Sequence, residues 1–590
     1  NPARDALQRA FAPMLSAYSS DITNNRALFA RIDALWETRD TLDLSAEQMR
    51  VLFLTHRSFT RSGAGLQGAA RDRLTAVKSR LAVLGTEFTQ NLLADERDWV
   101  MALAETDLDG LPDFVIAAAR EAGREKGLDQ PVVTLSRSLI VPFLQFSSRR
   151  DLREKAYRAW AARGMTGGAT DNRAITAEIL ALRAERAALL GYPSFAAYKL
   201  ETEMARSPDA VRELLMAVWA PARAQAEADG RKLTEMLHAD GINGALEPWD
   251  WRHYSERRRR AEHDLDEAEL KPYFQLEAMI EAAFDCANRL FGLEFRPLDV
   301  ALYHPDARAW EVTRGGAHVA VFIGDYFARG SKRSGAWCSA IRSQKKLGGD
   351  VRPIVVNVCN FAKGAPALLS YDDARTLFHE FGHALHQMLS DVTHGSISGT
   401  SVARDFVELP SQLYEHWLSV PEVLQRHARH ARTGAPMPVD VLQRLLAAQT
   451  YDMGFQTVEY IASAMVDLAF HDGPAPADPM AAEAETLARI GMPRAIGMRH
   501  ATPHFAHVFS GDGYSAGYYS YMWSEVMDAD AFAAFEETGN PFDRDTAQRL
   551  ERFILSAGGS QEADALYTAF RGRMPGVAAL LKGRGLDRVA

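Results

Sequence analysis

The chain has 590 residues, 47% of them hydrophobic, enough to bury a large core with several subdomains or lobes. Its net charge of −10 offers no global basic surface, so nucleic-acid binding is not expected. No apolar run reaches the roughly 18 residues that mark a membrane span.

Three cysteines, Cys286, Cys338 and Cys359, stand far apart, without zinc-knuckle or redox spacing. The opening Asn-Pro-Ala-Arg lacks an initiator Met and the apolar core of a signal peptide, which leaves room for residues upstream. A reducing cytoplasm is the expected compartment, with the periplasm as the alternative.

The first 290 or so residues read as successive helices. Leu74, Val77, Leu81, Leu84, Phe88 and Leu92 recur at steps of three and four, drawing one apolar stripe along a helix. Gly/Ser/Asn-rich breaks at 164–168 and 240–244 predict helix–helix connections. Arg257–Arg260 sit among Glu256, Glu262, Asp264 and Asp266, the pattern of a solvated helical face. Gly63, Gly65 and Gly68 spell GxGxxG, but Ser45 to Thr60 before them look helical. A dinucleotide loop needs a strand there, so a plain loop is expected.

Between about 297 and 360 the pattern changes. Segments 308–313 and 317–323 flank Arg314-Gly315-Gly316 and predict a β-hairpin. Residues 354–359, Ile-Val-Val-Asn-Val-Cys, predict another strand. The Gly/Ser/Lys/Arg segment 329–350 between them is expected to be a long mobile loop. Helices resume from 371.

The central signal is His379-Glu380-Phe381-Gly382-His383. Histidines four residues apart project from one face of a helix and can share a metal, and Glu380 can take a proton from activated water. Asp372 is the expected cap of that helix, and the Gly395–Gly399 loop its end. A catalytic zinc needs three protein ligands and one open position. Position 389, where one zincin pattern places a third histidine, holds leucine. Glu408, 25 residues after His383, is the best candidate, with Ser411, Gln412 and Glu415 further along the same face as orienting groups. His386, His394 and His416 are its rivals, and His386 also suits a hydrogen-bonded core histidine.

A second constellation follows. His507 precedes Gly511-Asp512-Gly513-Tyr514-Ser515-Ala516-Gly517-Tyr518-Tyr519-Ser520-Tyr521. Tyr514, Tyr518 and Tyr521 would share a face if this stretch were helical. Such stripes are commonly core, yet three phenols each need a polar partner when buried. A tyrosine or histidine near a metal can also hold the oxyanion formed in peptide hydrolysis.

The stretches FHEFGHALHQ, DFVELPSQ and GDGYSAGYYSYMWSEV resemble the thimet oligopeptidase family of zinc metallopeptidases, and within it the bacterial peptidyl-dipeptidase, or dipeptidyl carboxypeptidase, branch. PWDWRHY, DEAELKPYFQLE, YHPDARAWEV, GDYFARGSK and the terminal AFRGRMPGV extend the likeness over nearly the whole chain. The resemblance implies one zinc ion held by His379, His383 and Glu408, with Glu380 as the base. It implies transition-state contacts from His507, Tyr514 and Tyr521, with Tyr518 beside them at the substrate. The spacing from His507 to Tyr514 is longer here than in the thimet branch.

The implied fold is mostly α: a two-lobed helical zincin of the gluzincin type, with a deep substrate channel and a small β-sheet beside the active-site helix. The implied division is an N-terminal helical region, 1–147, and a catalytic domain, 148–587. Implied substrates are short unstructured peptides, cleaved by a monomer that meets neither nucleic acid nor membrane. The preferred specificity is release of C-terminal dipeptides. The alternatives are an endo-acting oligopeptidase, a zinc hydrolase of non-peptide substrates, and a peptide-binding protein without activity. Reading a C-terminal carboxylate calls for a cation, and Arg404 is the first candidate, with Arg499 second.

Overall fold

The computed structural model describes residues 7, 11, 14–15, 18, 21–265, 267–329, 332 and 335–587. It is mostly helical, with a two-stranded ribbon, β1 (Val100–Ala102) and β2 (Val132–Thr134), and one five-stranded sheet. The sheet comprises β3 (Leu293–Leu298), β4 (Arg308–Arg314), β5 (Ala317–Phe327), β6 (Trp337–Arg342) and β7 (Ile354–Phe361). In chain order, the helices that carry the sites are α1 (Arg137–Phe146), α2 (Arg173–Leu189), α3 (Pro248–His263), α4 (Leu276–Phe291), α5 (Tyr371–Met388), α6 (Leu409–Leu418), α7 (Met453–His471) and α8 (Ser520–Glu536). Among the described residues, no helix is long and apolar enough to cross a membrane.

The contacts divide the chain into two compact units. Unit 1 takes Asn1–Asp72, Asp266–Gln443 and Trp523–Ala579; unit 2 takes Arg73–Leu265, Arg444–Met522 and Leu580–Ala590.

In unit 1 the sheet order is β3-β4-β5-β7-β6, with β5 and β7 parallel and every other pair antiparallel. The β4–β5 hairpin falls where the sequence predicts it. Gly315 and Gly316 both have positive φ, 53° and 81°, which a tight two-residue hairpin turn requires. The segment expected to be a loop over 329–350 instead contains β6. Its polar composition hides a six-residue strand that pairs with β7 from Trp337 opposite Val358 to Arg342 opposite Ile354. The Trp337 side chain packs with Ile323, Val356 and Val358 on one face of the sheet.

The other face holds α5 in place through aromatic rings. Phe381 meets Phe322 of β5 edge-on at 5.2 Å, Phe284 of α4 at 5.5 Å and Phe295 of β3 at 5.7 Å. Phe284 and Phe295 stack at 4.0 Å. Rings packed edge-to-face and offset add stabilisation beyond their buried area, so this cluster fixes the rotation of α5. The helix cap is Ser370 rather than Asp372. The Ser370 hydroxyl accepts the Asp373 N–H and the Asp373 carboxylate accepts the Ser370 N–H, each at 3.0 Å, a reciprocal capping box.

Unit 2 is built around α7, which is buried along nearly its whole length and packs against the long helix Pro208–Ala239. Helix Gly68–Asp98 buries Leu74, Val77, Leu84, Phe88 and Leu92 of the stripe read from the sequence and leaves Leu81 half-buried. The breaks at 164–168 and 240–244 both lie between helices. Gly63, Gly65 and Gly68 follow helix Ala46–Arg61, not a strand. The arginine run on α3 is a salt-bridged face: Arg258 pairs with Asp229 and Glu262, and Arg259 and Arg260 both pair with Glu256.

Candidate active site

Regular helix geometry does the first part of the work in unit 1. His379 and His383, one turn apart on α5, present rings 5.0 Å apart and nearly perpendicular. Glu408 sits at the junction of the turn Arg404–Val407 and α6. Its Oε2 lies 3.3 Å from His379 Nε2 and 3.2 Å from His383 Nε2. Four ligands at 2.0–2.1 Å around a tetrahedral ion stand roughly 3.3–3.4 Å from one another, so these three atoms fit such an ion. Among the described residues this is the one cluster of three such side chains close enough to hold a metal.

The close approach of α5 and α6 depends on Gly382, between the two histidines. A Cβ there would lie 2.4 Å from the Pro410 carbonyl oxygen and 2.7 Å from the Ser411 Cα. No side chain fits, and a larger residue would drive Glu408 away from the imidazoles. Helical spacing says nothing about this glycine; only the packing reveals it.

Neighbouring groups orient two of the three donors, whereas His383 Nδ1 is buried without a hydrogen bond. His379 Nδ1 donates to Glu415 Oε1 at 2.6 Å, which turns Nε2 toward the cluster. Arg375 approaches the other Glu415 oxygen at 3.7 Å. Ser411 donates to Glu408 Oε2 at 3.1 Å. The Gln412 side-chain oxygen is buried without a hydrogen bond.

Burial works against charge on His379, but Glu408 and Glu415 outweigh it and lift the imidazole to about 10. Burial would raise Glu408, yet hydrogen bonds from His379 and His383 hold it well below the usual carboxylate range. The negative charge held on Glu408 between the two imidazoles suits a cation, which takes both imidazoles in their neutral form. Glu380 is 5% exposed, and its Oε2 has no hydrogen-bond partner. Burial raises its pKa and the two histidines pull the other way, so its surroundings favour proton acceptance more than those of an exposed carboxylate do.

The rival histidines lie outside the cluster. His416 Nε2 bonds Asp528 at 2.8 Å and its ring stacks on Phe532. His394 precedes the short turn Gly395–Ile397. His386 is fully buried, but neither ring nitrogen is hydrogen-bonded, which corrects the expectation of a bonded core histidine. Burial lowers its pKa to about 3, so it is neutral.

In unit 2 the tyrosines converge by a different route from the one expected. Helix α8 begins only at Ser520, so Tyr514 and Tyr518 lie on irregular backbone rather than on a helical stripe. Tyr514 stacks on Tyr521 at 5.5 Å, and Tyr518 meets Tyr521 edge-on at 5.8 Å. His507 lies 5.7 Å from Tyr514 and 5.4 Å from Tyr518. The buried carboxylate of Asp467 on α7 holds this turn by accepting the Ala516 N–H at 2.9 Å and the Tyr518 N–H at 3.0 Å. Ala516 takes a left-handed φ of 51°, a strain that such fixed bonds can sustain. Upstream, Arg183 on α2 donates to the carbonyls of Val508 at 2.7 Å and Gly511 at 2.9 Å. Burial, aided by Arg499, lowers the His507 pKa and keeps the imidazole neutral.

Of the two cation candidates, Arg404 is half-buried at the start of the turn leading to Glu408. Arg499 pairs with Glu459 at 3.3 Å.

Residues 143–586 match the family described as Peptidase family M3. The chain belongs to Peptidase family M3. It is a metallopeptidase by that membership. The dipeptidyl carboxypeptidase of Salmonella typhimurium is 38% identical over 99% of this chain and 88% of its own length. That of Escherichia coli is 37% identical, over 99% and 87%. Oligopeptidase A of Escherichia coli, at 35% identity over 97% and 86%, is similar over almost the same span. Among solved structures, Trypanosoma cruzi metallocarboxypeptidase 1 aligns with a TM-score of 0.53 at 13% identity, covering 98% of this chain and 92% of that one. PZ peptidase A aligns with a TM-score of 0.50 at 12% identity, over 98% and 85%. Both show the fold alone. The M3 match contains His379, Glu380, His383 and Glu408 in unit 1 and His507 to Tyr521 in unit 2.

Proposed function

We propose that this M3 metallopeptidase is zinc-dependent and releases C-terminal dipeptides from short, unstructured peptides. The observation that carries the chemistry is the convergence of His379 Nε2, His383 Nε2 and Glu408 Oε2, with the unpartnered Glu380 carboxyl on the same helix. Two nitrogens and one oxygen are a common zinc donor set. Zinc held there supplies Lewis acidity, which lowers the pKa of water and polarises a carbonyl. Glu380 takes the proton of the attacking water and passes it to the leaving amine. Glu415 keeps the His379 ring in one tautomer and orientation throughout. Tyr514, Tyr521 and neutral His507 are the proposed donors to the oxyanion, and Tyr518 the neighbouring substrate contact.

The dipeptide-releasing specificity is supported by the two dipeptidyl carboxypeptidase relatives at 38% and 37% identity. The oligopeptidase A relative at 35% favours a second reading, internal cleavage by the same chemistry. Mass spectrometry of the first products from one unstructured free-acid decapeptide separates them. A dipeptide and an octapeptide are expected; first cuts at internal bonds would leave the oligopeptidase reading.

A further inference from the structure

Unit 1 also holds, beside the metal donors, a cavity of about 310 Å³ that the proposed chemistry does not use. Strand β6, at the end of the sheet, lines it with Cys338, Ser339 and Ala340, and α5 contributes Gln387. Residues 398–401 form the third side. The floor is buried at Gln387, Ser398 and Gly399, and the rim is exposed at Ser339, Ser343 and Ser401. Gln387 follows His383 by four residues, so it stands one turn, about 6 Å, further along the same face of α5. An extended peptide advances about 3.3 Å per residue. A chain whose scissile carbonyl meets the metal donors therefore brings a side chain one or two residues from that bond within reach of the cavity.

The walls are fixed by bonds within the protein. Gln387 Nε2 donates to Cys338 Sγ at 3.1 Å, which ties helix to strand. Ser390 Oγ accepts the Ser398 hydroxyl at 3.2 Å and the Gly399 N–H at 2.9 Å. Gly399 takes a left-handed φ of 54°, and a Cβ there would press on Gln387 at 3.2 Å. From behind, the Gly559 N–H donates to the Ile397 carbonyl at 2.8 Å.

These bonds leave hydrogen-bonding capacity without charge. Among the described residues, the Gln387 carbonyl oxygen and the hydroxyls of Ser343, Thr400 and Ser401 bond no protein group. None of the ten lining residues is ionised, since burial, with the Glu380 carboxylate, holds the Cys338 thiol well above its usual range. A charged side chain entering the buried floor would lose water without meeting a counter-charge, and a large aliphatic one would leave the polar wall unpaired.

We propose that this cavity is a substrate subsite for an uncharged, hydrogen-bonding side chain (Asn, Gln, Ser or Thr) one or two residues from the cleaved bond. Gln387 and Ser401 determine the specificity: Gln387 accepts an amide or hydroxyl hydrogen at the floor, and Ser401 bonds the same group at the rim. The assignment rests on cleavage at the set of His379, His383 and Glu408, and holds whether dipeptides or internal fragments are released.

The test measures kcat/KM on free-acid decapeptides in which each of the two residues on either side of the cleaved bond is, in turn, Asn, Leu, Glu or Lys. At one of these positions the wild type should favour Asn over the other three. Gln387→Leu keeps the size and removes the acceptor, so the Asn-over-Leu ratio there should fall by about two- to tenfold, the contribution of one neutral hydrogen bond. Ser401→Asp charges the rim, and the Lys-over-Asn ratio at the same position should rise by about tenfold or more, the contribution of a hydrogen bond to a charged group. Ser401→Asn has the same shape without the charge and should show no such rise. Zinc content and thermal unfolding are measured for each variant. Ser401 is exposed and its side chain bonds nothing in the fold, so the Ser401 pair decides the matter if Gln387→Leu unfolds.

Selectivity unchanged in the folded variants would overturn the subsite and leave the metallopeptidase standing. So would a loss of rate equal for all four side chains, the mark of a structural role. Undiminished cleavage by wild type stripped of its metal would overturn the reading of the metal set, and the subsite with it.

Discussion

His379 and His383 reach their positions because α5 is a regular helix, whereas Tyr514 and Tyr518 reach theirs because a buried carboxylate pins irregular backbone. In the first region, local geometry does most of the ordering, and distant residues add only rotation and spacing: the Phe284–Phe381 ring cluster and the Gly382 contact with α6. In the second, nearly every constraint comes from far along the chain, from Asp467 on α7 and Arg183 on α2. Ligand sets on regular elements tolerate little displacement and are positioned by packing. A donor set on a pinned loop depends instead on a few polar bonds. Those bonds can be removed one at a time without collapsing a helix.

Tyr514→Phe tests the second region at the hydroxyl itself. Loss of one preorganised oxyanion donor costs on the order of 10²–10³ in turnover. Steady-state kinetics should show kcat falling by that order with KM nearly unchanged. An unaltered kcat would return Tyr514 to the role of a packed aromatic.

Glu415→Gln tests how the first region is oriented. The variant keeps the shape but weakens the bond to His379 Nδ1, and losses of such orienting partners typically cost about 10–100-fold in metal affinity or activity. Competition with a chromogenic zinc chelator reads the affinity directly. Wild-type affinity would mean that the rings are held by packing alone.

Asp467→Asn is the smallest of these effects and separates the two regions most cleanly. It leaves one oxygen to accept one of the two N–H groups and sets an NH2 donor against the other, a change worth on the order of 1.5 kcal/mol, or about tenfold in turnover. Zinc affinity should stay at the wild-type value, because Asp467 belongs to unit 2 and the metal donors to unit 1. A fall in zinc affinity would contradict that independence.

The same contrast governs what could be read from the sequence. Two histidines four apart declare a metal face because their relation is local. The glycine pair at 315–316 announces its hairpin for the same reason. Glu408 is reachable because it stands where a second helical segment begins, although the chain between Met388 and Arg404 is mostly irregular. Strand β6 is hidden because its pairing with β7 matters more than its polar flanks. The tyrosine turn reads as a helix because spacings of four and three suit one, and nothing local reveals that Asp467 holds the backbone elsewhere. Gly382 looks unremarkable until Pro410 is seen against it.

The central claim is a division of labour within α5: His383 holds the metal and Glu380 moves the proton. Metal content by atomic absorption, measured with turnover on a free-acid peptide, tests it in two variants. His383→Ala should lose both zinc and activity, and Glu380→Gln should retain one zinc per chain while losing turnover by a factor on the order of 10²–10⁴. Equal loss of metal in both variants, or a Glu380→Gln enzyme that turns over at the wild-type rate, would contradict the assignment.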